Sequence, residues 1–373
     1  MIDITKQGLS KARMKFNPLA FKAANEFHIK NLYSMEPEIK TYNGRLVVAI
    51  DGSDISIPTT KENIETFGNA SVKHADKLSV KESAMASASC AFDVLNKMIL
   101  DSTFREYKID ERKCAMEHIL KINEIIKNKR VIYVCDRGYP SLEFIITLIE
   151  NSNEFVIRLP KTVFKREQEG MKTNDEYVDV EITNDRTRAY KGTELEAKLL
   201  KYKKLNLRLT KVQLEDDTEY IISNLPKDEF TDADISRLYK LRWGIETMYN
   251  CLKNKLFLCN FSGIRPIILM QDFYATIYLY NLISDMEQQQ LDDESAYCEK
   301  TFKVNDNKAI GVLKERLIEL LMAKSNKIRS RIFEDIVRKI QKNLVKINSC
   351  RHFDRGNTNK GKIKAKNTYK PTF

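Results

Sequence analysis

Patterned cysteine and histidine are missing from this sequence. Its seven cysteines (Cys90, Cys114, Cys135, Cys251, Cys259, Cys298, Cys350) form no CxxC pair. Its four histidines (His28, His74, His118, His352) do not cluster with them. That spacing excludes a structural zinc site and a disulfide framework, and leaves buried or idle thiols. Long apolar runs are missing too. None approaches the ~18 residues of a membrane span, and the N-terminal MIDITKQGLSKARMKF lacks the apolar centre of a signal peptide. A cytoplasmic protein with no membrane partner is expected. Tryptophan occurs once, at Trp243. No internal repeat is present.

What the chain does have is size and positive charge. At 373 residues, 42% hydrophobic and 31% charged, it can bury a large core of one to three domains. The formal charge of +11 favours a polyanionic partner, nucleic acid first.

Residues 1–40 are expected to be helical, in two pieces separated by Asn17-Pro18, with Lys6, Arg13, Lys15 and Lys22 along them. They are either the remains of a DNA-binding module or a helical pair packed on the next domain. LVVAI (46–50) has the continuous β-branched pattern of a central strand and ends at Asp51. DGSD (51–54) is expected to turn, ISIP to continue as a strand, and 59–82 to be a loop. Residues 85–104 predict a hairpin around Asn96-Lys97. A helix over Asp110–Lys127 comes next, with Met116, Ile119, Leu120, Ile122 and Ile126 inward. VIYVC (131–135) is a second apolar run, ended by Asp136. A helix over Ser141–Glu150 and a strand at 155–159 complete a mixed α/β sheet, 41–159.

Residues 160–226 alternate in short antiparallel-type pieces and predict a β-rich insertion domain. From 227 to 350 the pattern is helical, including a core helix in 261–287. The tail, 351–373, holds seven Lys/Arg and one Asp, and is either solvated or in contact with DNA.

One stretch in the helical part, Thr231–Lys255, combines two unlike faces. Thr231 and Asp234 have capping-box spacing, with Asp where Glu is usual. At about 100° per residue from Tyr239, Arg242 lies near −60°, Glu246 near −20° and Lys253 near −40°. Leu238, Leu241, Ile245, Met248 and Leu252 lie opposite. An ordinary solvated face would also carry such charges. Elsewhere, however, Asp51 and Asp136 each end an apolar strand, and strand ends are where α/β sheets present functional groups. Neighbouring strands lie about 4.8 Å apart, so two such aspartates can share a metal. Hard oxygen donors suit Mg²⁺ or Mn²⁺, and a pair of such ions serves phosphoryl displacement. The spacing Asp51-Gly-Ser-Asp54 lacks the Asp-x-Asp of phosphatases with an aspartyl nucleophile.

Tyr239-x2-Arg242-x3-Glu246-x6-Lys253 resembles the Y-R-E-K signature of the insertion-sequence-4 family of DDE transposases at every position. AIDGSDISIP resembles that family's first-aspartate motif, with Ser53 where Thr is usual, and VIYVCDRGY its second. QDFYATIYLYNL (271–282) resembles the stretch after the signature. The resemblance covers nearly the whole chain from about residue 8. It implies a ribonuclease-H-like mixed sheet flanked by helices, with the insertion between the second Asp and the Glu. It implies catalytic, metal-binding roles for Asp51, Asp136 and Glu246, with two Mg²⁺ or Mn²⁺ ions per site. It implies DNA contacts by Tyr239, Arg242 and Lys253, cleavage and strand transfer of double-stranded DNA at terminal inverted repeats into target DNA, and a homodimer on paired ends.

Two features depart from the family. Some relatives use an insertion tryptophan to hold a flipped base; Trp243 sits instead in the signature helix, and a core or helix-packing role is expected for it. Phe164 or Tyr190 could stack on a base, though packing suits both. Relatives also usually have a longer helical region before the first Asp, whereas 50 residues precede Asp51 here, so the chain is expected either to lack part of that module or to start late. The alternative reading is a silent or N-terminally shortened DNA-binding remnant that inhibits transposition.

Overall fold

Strand alternation organises the centre of the protein. A computed structural model describes residues 5–34, 39–73, 80–213, 218–288 and 302–346. The basic tail, Cys298, Cys350, His74 and His352 lie outside them. In chain order the elements begin with α1 (Lys6–Lys15), α2 (Leu19–Ser34), β1 (Arg45–Ser56), α3 (Lys61–Phe67), β2 (Asn69–Lys73), β3 (Val80–Asp93) and β4 (Met98–Glu106). Next come α4 (Glu111–Ile125), β5 (Arg130–Cys135), α5 (Leu142–Glu150), β6 (Glu154–Leu159), α6 (Lys165–Glu169), β7 (Asp175–Glu181), α7 (Asn184–Thr187) and α8 (Glu194–Leu199). The rest are β8 (Lys204–Gln213), β9 (Thr218–Ser223), α9 (Asp232–Leu241), α10 (Trp243–Asn254), α11 (Pro266–Gln288), β10 (Phe302–Val304), α12 (Asp306–Leu321), α13 (Asn326–Gln341) and β11 (Leu344–Lys346).

The chain forms two compact units, each discontinuous. One comprises residues 26–54 and 87–248, the other 1–25, 55–86 and 249–373.

In the first unit the sheet runs β3-β1-β5-β6-β9-β8-β7, with β4 also on β3. β1 and β5 pair in parallel from Arg45↔Arg130 to Ala49↔Val134, and β5 pairs in parallel with β6. Successive side chains point to opposite faces. Leu46, Val48 and Ile50 of β1 and Val131, Tyr133 and Cys135 of β5 join the core with Ile119 and Ile122 of α4 and Ile145 of α5. Val47, Ile132 and Val134 face the other way, against Ile235, Leu238 and Tyr239 of α9. Burying a side chain of this size contributes roughly 1.5–3 kcal/mol.

Polar groups inside this unit are paired. The sealed His118 ring joins Asp101 at 2.7 Å and Ser89 at 3.0 Å. The buried Arg208 donates to both carboxylate oxygens of Asp175, at 2.8 and 2.9 Å, and to the carbonyls of Leu225 and Phe230. It thereby ties β8 to β7 and to the approach to α9.

In the second unit α1 packs on α11. Arg13 donates to Gln271, Ser262 and Asp272, and Gln271 returns bonds to the carbonyls of Arg13 and Phe16. α11 also meets α12 and α13. No helix among the described residues is long and apolar enough to cross a membrane.

Several expectations need correcting. DGSD does not turn: β1 continues through it because β3 pairs along its other edge after β5 has ended. Residues 59–82 hold α3, capped by the Thr60 side chain and ended by Gly68 at φ 95°, and then β2, paired with β3. Leu120 points outward, 54% exposed. Residues 344–346 are a strand paired with β10, not helix. The β-rich region after residue 160 is not a separate domain. β9 pairs antiparallel with β6 (Ile157↔Ile222), so its strands lengthen the central sheet.

The Arg208–Asp175 pair yields a test. Burial alone raises the Asp175 pKa, but bonds from Arg208 and Thr210 outweigh it and hold the carboxylate below its ordinary value. An aspartate depressed in the folded state stabilises fully above its unfolded pKa, about 4. That contribution is lost as pH falls through the folded value. Asp175→Asn should therefore cost on the order of 3 kcal/mol at neutral pH in urea unfolding, and the gap from wild type should shrink as the pH drops below about 4. An equal gap at all pH values would remove the pair from the stability of the sheet.

Candidate active site

The two aspartates meet by register. Asp51 lies two residues beyond Ala49 and Asp136 two beyond Val134, and those two residues are paired. Both aspartates continue the alternation of Val47 and of Ile132 and Val134. They therefore fall on the face covered by α9, where the apolar strand cores give way to carboxylates.

The helix above them starts as its sequence requires. The Thr231 side chain accepts from Asp234 N–H and the Asp234 carboxylate accepts from Thr231 N–H, a complete capping box. Leu238, Ile245, Met248 and Leu252 are buried, and Leu241 is half-buried. The expected single helix is, however, tightened at Arg242. There the Arg242 N–H donates to Tyr239 and the Ile245 N–H to Arg242, three residues apart instead of four. Such a stretch separates α9 from α10 and advances each residue by about 120° instead of 100°. Gly244 lies within it. A Cβ there would lie 3.3 Å from Val94 Cγ1, so the absence of a side chain lets the start of α10 approach the β3–β4 turn.

That tightened turn delivers three side chains. Tyr239 Oη donates to Asp136 Oδ1 at 3.1 Å. Arg242 Nη2 donates to Glu246 Oε1 at 3.0 Å, and Nη1 lies 4.0 Å from Asp51 Oδ2. The Arg242 side chain is 6% exposed, so it is not part of a solvated face, and its Nε is buried without a partner. It also lies over the rings of Tyr239 and Trp243. Burial raises the Tyr239 pKa to about 12, with Asp136 adding to the effect. The phenol is thus a hydrogen-bond donor at neutral pH.

The carboxylates are crowded. Burial pushes Asp51 up to about 6, against the pull of the Gly52 N–H and Arg242, while Glu111 and Asp136 push further. Glu111, in the first turn of α4, is also raised, by burial and then by Asp54, Asp110 and Asp136. Its Oε1 lies 3.0 Å from where a Gly52 Cβ would stand, and its Oε2 lies 4.0 Å from that of Gly138. The two glycines beside the two aspartates therefore leave room for a further acid.

A family model for the Transposase DDE domain matches residues 42–282. The chain belongs to that family. A comparison with curated proteins finds no match. Among solved structures, the chain is similar to the piggyBac transposase in its cryo-EM synaptic complex with hairpin DNA, at 8% identity and a TM-score of 0.41. That match covers 85% of this chain and 60% of the other, so the chain spans less than two thirds of the transposase it matches.

Within this DDE domain, Asp51, Asp136, Tyr239, Arg242 and Glu246 come together. Lys253 lies farther along α10, in the other compact unit, half-buried and close enough to Cys259 to act on its thiol. Trp243 is not a core residue: it is 46% exposed, with its ring against the Arg242 guanidinium. Phe164 is buried and Tyr190 packs on the core. Glu111 had no motif to announce it, only an acid in a helix's first turn. As the side chains stand, no group of three His, Cys, Asp or Glu among the described residues is arranged to hold a metal ion. The donor chemistry nevertheless fits a hard divalent cation: crowded carboxylates, two of them raised by burial, are offset here mainly by one guanidinium.

Removing that guanidinium tests this balance. Arg242→Ala should destabilise the metal-free protein by about 1–3 kcal/mol in chemical unfolding, with the deficit narrowing in millimolar Mg²⁺. A deficit indifferent to Mg²⁺ would show that Arg242 does not stand in for a cation.

Proposed function

We propose that the protein is a DNA transposase of the insertion-sequence-4 branch. In this reading it cleaves double-stranded DNA at the terminal inverted repeats of its element and transfers the freed ends to target DNA, as a homodimer on paired ends. One observation carries the reading: Asp51 on β1 and Asp136 just past the end of β5 each lie two residues beyond the paired Ala49 and Val134, beneath the turn whose Arg242 links Asp51 to Glu246. The family match and the Y-R-E-K spacing support it, and the mixed sheet with helices on both faces supports a ribonuclease-H-like core.

Asp51, Asp136 and Glu246 would hold two Mg²⁺ or Mn²⁺ ions. When bound, such ions activate an oxygen nucleophile and stabilise the leaving oxygen of an in-line phosphoryl displacement. The protein's own groups do the rest. Tyr239 orients Asp136 through its hydroxyl. Arg242 balances Glu246 and Asp51 while the site is empty of substrate, and its planar fork suits a DNA phosphate once those carboxylates are otherwise engaged. Lys253 supplies a point charge to the DNA backbone. The net charge of +11 favours the encounter with DNA.

A nicking assay on DNA with the flanking inverted repeats tests this reading. With Mg²⁺ the wild type should cut at the repeat ends, and Glu246→Gln should lose roughly a hundredfold or more of that rate while still binding. Binding without cutting by either protein would favour the inhibitory remnant. Lys253→Ala should lower the slope of log affinity against log salt by about one, because it removes about one phosphate contact. An unchanged slope would take Lys253 off the DNA interface.

A further inference from the structure

The α12–α13 hairpin lies wholly in the second compact unit and has a buried base and a bare tip. Ala309, Ile310 and Leu313 of α12 and Ile336 and Ile340 of α13 are buried, and both helices meet α11. Arg316 clamps the middle, donating to Glu319 at 2.7 Å and across to Asp335 at 2.8 Å. Beyond the clamp every residue from Lys324 to Arg331 is exposed. Folding gives no reason for two features of this tip. Apolar side chains stand in solvent at its end: Leu321 is 66% and Met322 75% exposed, with Ile318 and Ile328 exposed nearby in the chain. Residues 321–331 also carry Lys324, Lys327, Arg329 and Arg331 and no acid. Cations thus crowd the start of α13, where the helix dipole disfavours them, and no acid in the first turn offsets them. Arg329 bonds only the neutral Asn326 side chain and the Ala323 carbonyl. Lys324, Lys327 and Arg331 make no ion pair among the described residues.

We propose that this tip is a second DNA-docking surface, which takes duplex DNA without sequence preference and bends it. Lys324, Lys327, Arg329 and Arg331 hold phosphates, and Leu321 and Met322 enter as a wedge between base pairs. The proposal rests on the DNA-acting reading above. Charge complementarity selects the occupant: a second copy of the tip across a two-fold axis, or the chain's own basic tail, would bring like charge against it. Phosphate binding alone needs no exposed Leu or Met. Kinking a duplex does, because an apolar wedge takes the place of the stacking lost between two base pairs. Contacts from Lys and Arg to phosphate carry no base information, so tolerance of sequence follows. An anionic lipid surface offers similar charge, but a helix lying on a membrane needs an apolar stripe along its length. The stripe of α13 is turned inward at Ile336 and Ile340, and the exposed apolar residues cap the end of the hairpin instead.

Two full-length variants test the two parts on a mixed-sequence duplex without inverted repeats. The triple variant Lys324→Gln, Lys327→Gln, Arg331→Gln should lower the slope of log affinity against log salt by about two to three, at roughly 0.9 per phosphate contact. The double variant Leu321→Ser, Met322→Ser should keep the wild-type slope and lose the bend, roughly 20–90°, that the wild type imposes, read as energy transfer between dyes on the duplex ends. A wild-type slope in the first variant, or a wild-type bend in the second, would overturn the proposal. So would DNA binding left intact while binding to phosphatidylserine vesicles is lost, which assigns the tip to a membrane. DNA binding left intact while a dimer falls to a monomer in sedimentation would overturn it in favour of a second copy. A melting temperature well below wild type in either variant would overturn it by showing the tip already packed within the chain. A wild type that cuts at repeat ends, with both variants behaving like it on the mixed duplex, strikes the tip alone; a wild type that binds no DNA strikes the proposed function as well.

Discussion

Parallel pairing between β1 and β5 is the constraint on which the site depends. Paired residues of the two strands are 85 apart in the chain (Arg45 and Arg130), and their register decides which residues face each other at the point where β5 stops. A slip of one residue on either strand would send its aspartate to the opposite face of the sheet, into the core formed with α4 and α5. The register is held by burial on both faces, since each strand alternates between two apolar cores with no polar side to exchange.

The helix above the strands answers that geometry. Its apolar residues fix α9 on the sheet, and the tightened turn at Arg242 then changes the phase of α10. Arg242 becomes a buried cation among acids, with Asp51 on one side and Glu246 on the other. Such a guanidinium performs two tasks. It offsets carboxylates that burial disfavours, and it marks where a cation or a phosphate changes the charge balance of the site. Gly244 and Gly52 serve the same end by absence, letting α10 and Glu111 approach where a methyl group would intrude.

Much of the fold could be read from the residues because its cues are local. The β-branched runs at 46–50 and 131–135, the hairpin at Asn96-Lys97 and the Thr231–Asp234 box each act within a few residues. The errors have one origin. DGSD carries strong turn residues, yet it is strand because a neighbour pairs with it. The pieces between 160 and 226 alternate like a separate β-domain, yet they extend one sheet, because a short antiparallel strand cannot announce which edge it joins. Trp243 suggested burial by its chemistry, yet it stands half exposed beside Arg242.

Residue order sets the chemical kinds and their spacing: two aspartates ending apolar runs, and a tyrosine, arginine and glutamate sharing one helical stretch. Spacing along one helix or strand comes from backbone geometry, which any local segment carries with it. It took the packed fold to bury Arg242 between Asp51 and Glu246, to bring the Tyr239 hydroxyl to Asp136, and to set Glu111 against Gly52. Those neighbours come from segments far apart in the chain, and the packing of two sheet faces against helices brings them together. No local pattern encodes that packing.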